Sequence, residues 1–165
     1  MSAVLGLDLG ERRIGVAIAE ADGFAARPLV TLRRGRDAAA DASALGALIA
    51  AHDVDELVVG LPIDAAGHEG PQAALTRVWV ATVVPLLDPA PSRVAFRDER
   101  LSSHLAEGRL APMKRGRSGG PPSRTQRDAY RARVDREAAA IILQDELDTR
   151  RASGPSPGYP PDPAR

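Results

Sequence analysis

Cysteine is absent from this 165-residue chain, which removes a disulfide scaffold, a thiolate zinc site and a cysteine nucleophile together. Aromatic residues are almost as scarce. Phe24, Trp79, Phe96, Tyr130 and Tyr159 are the whole set, 3% of the sequence. The core must therefore be aliphatic, and a nucleic acid would find few rings for base stacking. No apolar stretch approaches the roughly 18 residues of a membrane span, and the first apolar run begins at Val4 with no basic segment ahead of it. The expectation is a cytoplasmic protein with no membrane contact. Lysine is nearly missing too, with Lys114 the only one.

What is present suits one globular domain: 44% of residues are hydrophobic, and the length allows a real core but not two ordinary domains. Net charge is zero, yet its distribution is uneven. Between Lys114 and Arg133 stand seven basic residues and one acid, Asp128, so this stretch is strongly positive and the remainder equally negative. Codon composition accounts for arginine in place of lysine, but not for the clustering.

Periodicity lays out the elements. Val4–Gly10 alternates with period two, placing Val4, Gly6 and Asp8 on one face and Leu5, Leu7 and Leu9 on the other. Arg13–Ala19 alternates as well, and the short Gly10–Arg12 connection predicts a hairpin. A third strand falls at Arg27–Leu32, a helix at Asp37–His52, and a continuous apolar strand at Asp55–Pro62, the pattern of a buried parallel strand. A helix from Gly70 to Leu87 is expected to bury Leu75, Val78, Trp79, Thr82 and Val83. A strand at Ser92–Phe96, a helix at Ser102–Leu110 and a final helix at Val134–Arg150 complete the order. Residues 114–133 show neither period and read as a mobile basic loop, and residues 152–165, with five prolines, as a disordered tail. The fold class is α/β: a mixed five-stranded sheet, a three-strand antiparallel meander plus two parallel strands, within a domain at 1–151.

Three acidic positions then stand out. Asp8 lies inside an apolar strand, where an uncompensated carboxylate is costly. Asp98 and Glu99 follow the last strand, at the end where open α/β sheets place ligands. Asp135 shares a helical face with Ala138, Ala139 and Ile142 and so points toward the sheet. Each has a plainer reading: Asp135 can complement a helix dipole, and "DER" can be a solvated strand end. Carboxylates converging on one point repel unless a cation sits among them. Hard oxygen ligands select Mg2+ or Mn2+, and such clusters, two ions in many cases, serve in-line phosphoryl chemistry. Strand alternation turns Asp98 and Glu99 to opposite sides, leaving open which one faces the ion. Ser102 and Ser103 read as helix caps, with phosphate contact as the second reading.

The blocks "GLDLGERRIGVAIAE", "VVGLPIDAAGHEG", "RDERLSSHLA" and "VDREAAAIILQDELD" resemble, in order and spacing, those of the YqgF (RuvX) family. Its members are RNase H-like bacterial proteins, described as Holliday junction resolvases and as nucleases maturing the 5′ end of pre-16S rRNA. The resemblance covers Val4 to Asp148 and implies a catalytic, metal-binding set of Asp8, Glu99 and Asp135. It also implies that Arg13, Arg97 and Arg100 lie near substrate phosphates, and Gly10 and Ser102 are counted with them as substrate-binding. Related RuvC resolvases carry a catalytic Glu at the end of the strand that here reads Gly60-Leu61-Pro62, so the acid of "DER" must stand in for it. The function expected is endonucleolytic maturation of pre-16S rRNA by a monomer or weak homodimer. A junction resolvase and a non-catalytic RNA-binding assembly or transcription factor are the alternatives. Actin-like ATPases and sugar kinases share the Asp-x-Gly turn but need a second such domain.

Overall fold

A computed structural model describes residues 2–20, 25–100, 102–113, 115–116 and 119–153. The chain opens with strands β1 (Ala3–Leu9), β2 (Arg13–Ala19) and β3 (Arg27–Arg33). Helix α1 (Ala38–His52), strand β4 (Val54–Leu61) and helix α2 (Pro71–Val83), extended by a 3-10 turn at Val84–Leu86, come next. Strand β5 (Arg93–Asp98) and helices α3 (Ser102–Arg109) and α4 (Arg124–Ser153) complete the order. The sheet runs β3-β2-β1-β4-β5. β1, β2 and β3 pair antiparallel, whereas β1 with β4 and β4 with β5 pair parallel. This is the mixed sheet that the alternating and continuous apolar runs predict.

The two faces of the sheet differ in kind. Leu5, Leu7, Ile14, Val16, Ile18, Leu57 and Val59 project to one side and pack under α1 and α2. The opposite side carries small residues, among them Gly6, Gly15, Ala17 and Gly60, and receives α4. A Cβ on Gly6 would lie 2.7 Å from Leu143 Cβ and 2.8 Å from the Ala139 carbonyl oxygen. The helix therefore lies nearer this sheet than ordinary side chains permit.

Two expectations need correction. Helix α2 is rotated from its expected face: Leu75 and Val78 are 61% and 62% exposed, Thr82 is exposed too, and Ala73, Thr76, Trp79, Val80 and Val83 turn inward. Judging the face by side-chain bulk misplaces it, because Trp79 sets the rotation. Its indole N–H donates to the buried carboxylate of Asp41 at 2.8 Å, which also accepts from the Gly35 N–H at 2.6 Å.

The basic stretch is corrected as well. Residues 124–133 form the first turns of α4 and are no loop. The start is a capping box: the Gln126 side chain accepts from the Ser123 N–H at 2.8 Å, and the Ser123 hydroxyl accepts from the Gln126 N–H at 3.2 Å. Farther on, the Thr31 hydroxyl donates to the Ala132 carbonyl. At its other end α4 runs through Ala152 and Ser153, so the expected tail is helical at its first two residues, and 154–165 lie outside the described residues. Among the described residues no helix is long and apolar enough to cross a membrane.

Candidate active site

Asp8 is the last residue of β1 on the α4 face, and both flanking strands present glycine beside it. Gly15 of β2 is its direct partner. Leu7 pairs with Val59 of β4, so Gly60 follows on the other side. A Cβ at Gly60 would stand 2.6 Å from Glu99 Oε2 and 2.6 Å from Ile142 Cδ1. The space that a side chain would fill is occupied by the Glu99 carboxylate.

Glu99, not Asp98, meets Asp8. The Glu99 N–H donates to the Leu61 carbonyl at 3.2 Å, which carries the pairing of β5 with β4 one residue past Asp98 and directs the Glu99 side chain to the α4 face. Asp98 turns to the exposed side, where it accepts from the Arg100 N–H at 2.8 Å and from Arg100 Nε at 2.6 Å. One oxygen of Glu99, Oε2, is buried with no hydrogen-bond partner among the described residues. Native proteins leave few such atoms, and each calls for an explanation.

Asp135 reaches the same end of the sheet from α4. A Cβ on Gly15 would collide with the Asp135 carbonyl oxygen, so this glycine allows the helix to bring Asp135 down. Its carboxylate accepts from Arg13 Nε at 2.5 Å, with both side chains one quarter exposed.

The electrostatics follow from this crowding. Burial, then the neighbouring charges of Glu99 and Asp135, push Asp8 from 3.8 up to about 8. Glu99 is raised as well, chiefly by burial. The closeness of the two carboxyls raises Asp8 further and offsets part of the rise in Glu99. Near neutral pH the pair keeps one proton because two adjacent charges are unfavourable. A divalent cation could replace that proton, and the unpartnered Glu99 oxygen supplies a ready ligand atom. Among the described residues no three carboxylate, imidazole or thiolate side chains converge as one ligand set. Asp8 and Glu99 converge, while Asp135 is drawn to Arg13.

The remaining expected residues divide. Gly10 closes the β1–β2 hairpin, its N–H donating to the Arg13 carbonyl at 2.8 Å. Arg100 and the buried Ser102 line a recess of about 850 Å³ with Ile63, Leu105 and Ile141. Arg97 is not brought to the acids. It runs along α4, its Nη2 3.0 Å from Asp145, its Nε 3.1 Å from Glu146, and a further bond reaches Thr149. Arg131 is a residue that sequence reasoning missed. It lies one helical turn before Asp135 and lines a second recess, of about 430 Å³, with Gly10, Arg12, Arg13, Asp128 and Asp135. The signal was available in Ser123-x-x-Gln126, a capping box that extends the helix far enough to give Arg131 and Asp135 their i, i+4 relation.

A mixed sheet on which Asp8 and Glu99 meet at the carboxyl ends of β1 and β5, crossed by a long helix that carries Asp135, is the architecture of an RNase H-like α/β protein. The chain belongs to the RuvX family, whose model, described as "Holliday junction resolvase", matches residues 2–149. A relative from Nocardioides sp. named "Putative pre-16S rRNA nuclease" is 40% identical over 159 residues, covering 93% of this chain and 92% of that protein. One of the same name from Roseiflexus sp. is 40% identical over 148 residues, covering 90% and 95%. The fold is similar to that of T. thermophilus RuvC in complex with a Holliday junction substrate, at a TM-score of 0.50 and 15% identity, covering 93% of this chain and 98% of that one.

Proposed function

We propose that this chain is a metal-dependent endonuclease that hydrolyses phosphodiester bonds in pre-16S rRNA. The observation that carries the proposal is the Asp8–Glu99 pair: two carboxyls crowd one site, in space left by Gly60, with one buried oxygen unpartnered among the described residues. No structural need explains such a pair, since apolar residues there would pack without repulsion.

The residues fit a divalent ion of the Mg2+ or Mn2+ type, held by Asp8 and Glu99 with Asp135 as the third acid. When bound, such ions activate water and stabilise the leaving oxygen. The protein's own groups do the rest. Arg100 and Ser102 line the recess on one side of the acids and orient the strand there. Arg13 stands on the other side. Arg97 runs along α4 away from the acids, so phosphate contact is assigned to Arg13 and Arg100, each of which would exchange a carboxylate, Asp135 or Asp98, for the phosphate. With few rings to stack on bases, recognition rests on backbone and shape. The homologues' name favours pre-16S rRNA, and a single copy suffices for one cut in RNA.

The test is cleavage of a labelled pre-16S 5′ leader beside a four-way DNA junction, each with Mg2+, with Mn2+ and with chelator. Metal-dependent cutting of the RNA, reduced at least about a thousandfold in Asp8→Asn, is the expected outcome. Cutting of the junction alone would move the assignment to a resolvase and require a dimer. Equal RNA binding by both proteins with no cleavage would leave an assembly factor.

A further inference from the structure

The recess between the β1–β2 turn and the first turns of α4 is lined by Gly10, Glu11, Arg12, Arg13, Asp128, Arg131 and Asp135, with the exposed Glu11 free to turn to solvent. Its volume of about 430 Å³ accommodates a phosphodiester group with room for water. Neither Arg12 nor Arg131 has an ionic partner among the described residues, and both are exposed. Of the acids, Asp128 is 3.9 Å from Arg124, and Asp135 is held by Arg13 at 2.5 Å. Arg13 thus stands on the boundary between two sites, with the recess on one side and the acid cluster on the other.

Resting on the nuclease reading above, we propose that this recess seats a backbone phosphodiester of the nucleic acid and that the phosphate competes with Asp135 for Arg13. The third carboxylate then becomes available to a divalent cation only once nucleic acid is bound. The competition follows from charge. While Arg13 is bonded to Asp135, its guanidinium neutralises that carboxylate and weakens its pull on a cation. A phosphate entering between Arg12 and Arg131 offers Arg13 a second anion with bidentate geometry. The exchange requires rotation of the Arg13 side chain, at the start of β2. Metal loading and substrate binding become reciprocally linked, each strengthening the other by the same factor. Without nucleic acid the site remains incomplete, which limits stray hydrolysis.

The experiment is a Mn2+ titration followed by electron paramagnetic resonance, with and without a phosphorothioate-substituted hairpin of the pre-16S 5′ leader. Hairpin affinity is measured separately in chelator. In the wild type the hairpin is expected to tighten Mn2+ binding about tenfold, within the usual range of site-to-site coupling. Arg13→Gln should bind Mn2+ about tenfold more tightly than wild type without RNA and gain little more when RNA is added. Arg12→Gln and Arg131→Gln alter exposed side chains. They should leave Mn2+ affinity without RNA at the wild-type value while weakening hairpin binding and the tightening that accompanies it. The proposal is overturned if the hairpin binds wild type yet leaves its Mn2+ affinity unchanged, or if a folded Arg13→Gln binds Mn2+ as wild type does. It is equally overturned if Arg131→Gln binds the hairpin at full strength. Should no protein bind the hairpin even in chelator, the RNA-nuclease reading itself falls, an outcome distinct from loss of the coupling alone.

Discussion

Helix α4 carries acids to the sheet at two places, and the two are treated in opposite ways. Toward its end, Glu146 is buried among arginines, of which Arg97 keeps its Nε without a hydrogen bond among the described residues. Arg150 Nε donates to it at 2.8 Å, Arg97 Nε lies 3.1 Å away and Arg93 3.8 Å, while Arg150 also bonds Glu56 of β4 at 2.9 Å. Nearer its start, Asp135 is brought toward Asp8 and Glu99, where carboxyls face carboxyls and one oxygen has no partner. The same helix on the same sheet face thus holds one matched cluster and one mismatched cluster. Charge used to fasten α4 to the sheet is balanced within the protein. In the proposed function, the charge left unbalanced is answered by a bound cation.

The comparison is sharpest when each cluster is broken in turn. Glu146→Ala should give the largest loss of stability, about 2–3 kcal/mol, because it removes the buried carboxylate that Arg97 and Arg150 share, leaving Arg97 with Asp145 and Arg150 with Glu56. The loss stays below that of a fully buried pair because the side chains of Arg97 and Arg150 are 25% and 29% exposed. Chemical denaturation measures that loss. Cleavage per folded molecule should change less than about tenfold, since Glu146 lies a full three turns beyond Asp135. A loss of activity as large as that of Asp8→Asn would break the distinction between the two clusters.

Gly15→Ala tests what brings the mismatched cluster together. The added methyl meets the Asp135 carbonyl oxygen, which is backbone and cannot swing aside, so α4 must lift. The expected cost is about 1–3 kcal/mol, together with a fall in cleavage approaching a hundredfold as Asp135 moves away from its partners. Melting curves and single-turnover rates separate the two effects. Gly6→Ala, against Leu143 and Ala139, should destabilise similarly but cost less activity, being farther from the acids.

Much of this was legible in the sequence, and the parts that were not have physical causes. Strand order emerged from alternation in Val4–Gly10 and from the unbroken apolar run Leu57–Val59, because a strand's environment is written in its period. Asp8 was conspicuous because apolar neighbours on the strand gave it nowhere polar to go. The choice between Asp98 and Glu99 needed the register of β5 on β4, which depends on a backbone bond to Leu61 and has no local signature. The rotation of α2 was misjudged because Trp79 answers to Asp41, 38 residues earlier in the chain. The length of α4 was hidden by a largely polar opening whose helical period buries little before Val134, although its capping box was there to be seen. The glycines at 15 and 60 carried no such signal. They are where a helix and a carboxylate come in.

The smallest predicted effect lies in the metal-free protein and reports the mismatch directly. Asp8 is raised from 3.8 to about 8, so between those values the folded protein retains a proton that the unfolded chain releases. Stability must then fall as pH rises through that window and level off above it. In Asp8→Asn the proton no longer exchanges and the repulsion with Glu99 and Asp135 is gone. The variant should melt higher than wild type at pH 8, by about 1–2 kcal/mol or on the order of 2–8 °C, with the difference narrowing toward pH 5. Melting curves in chelator across pH 5 to 8 measure this. A divalent cation should reverse the order at pH 8 by stabilising the wild type alone, because it binds the ionised carboxylates that the proton otherwise occupies. Parallel pH profiles for the two proteins would mean that the acids near Asp135 are as well balanced as those around Glu146. The contrast between the two clusters would then be one of position and not of charge.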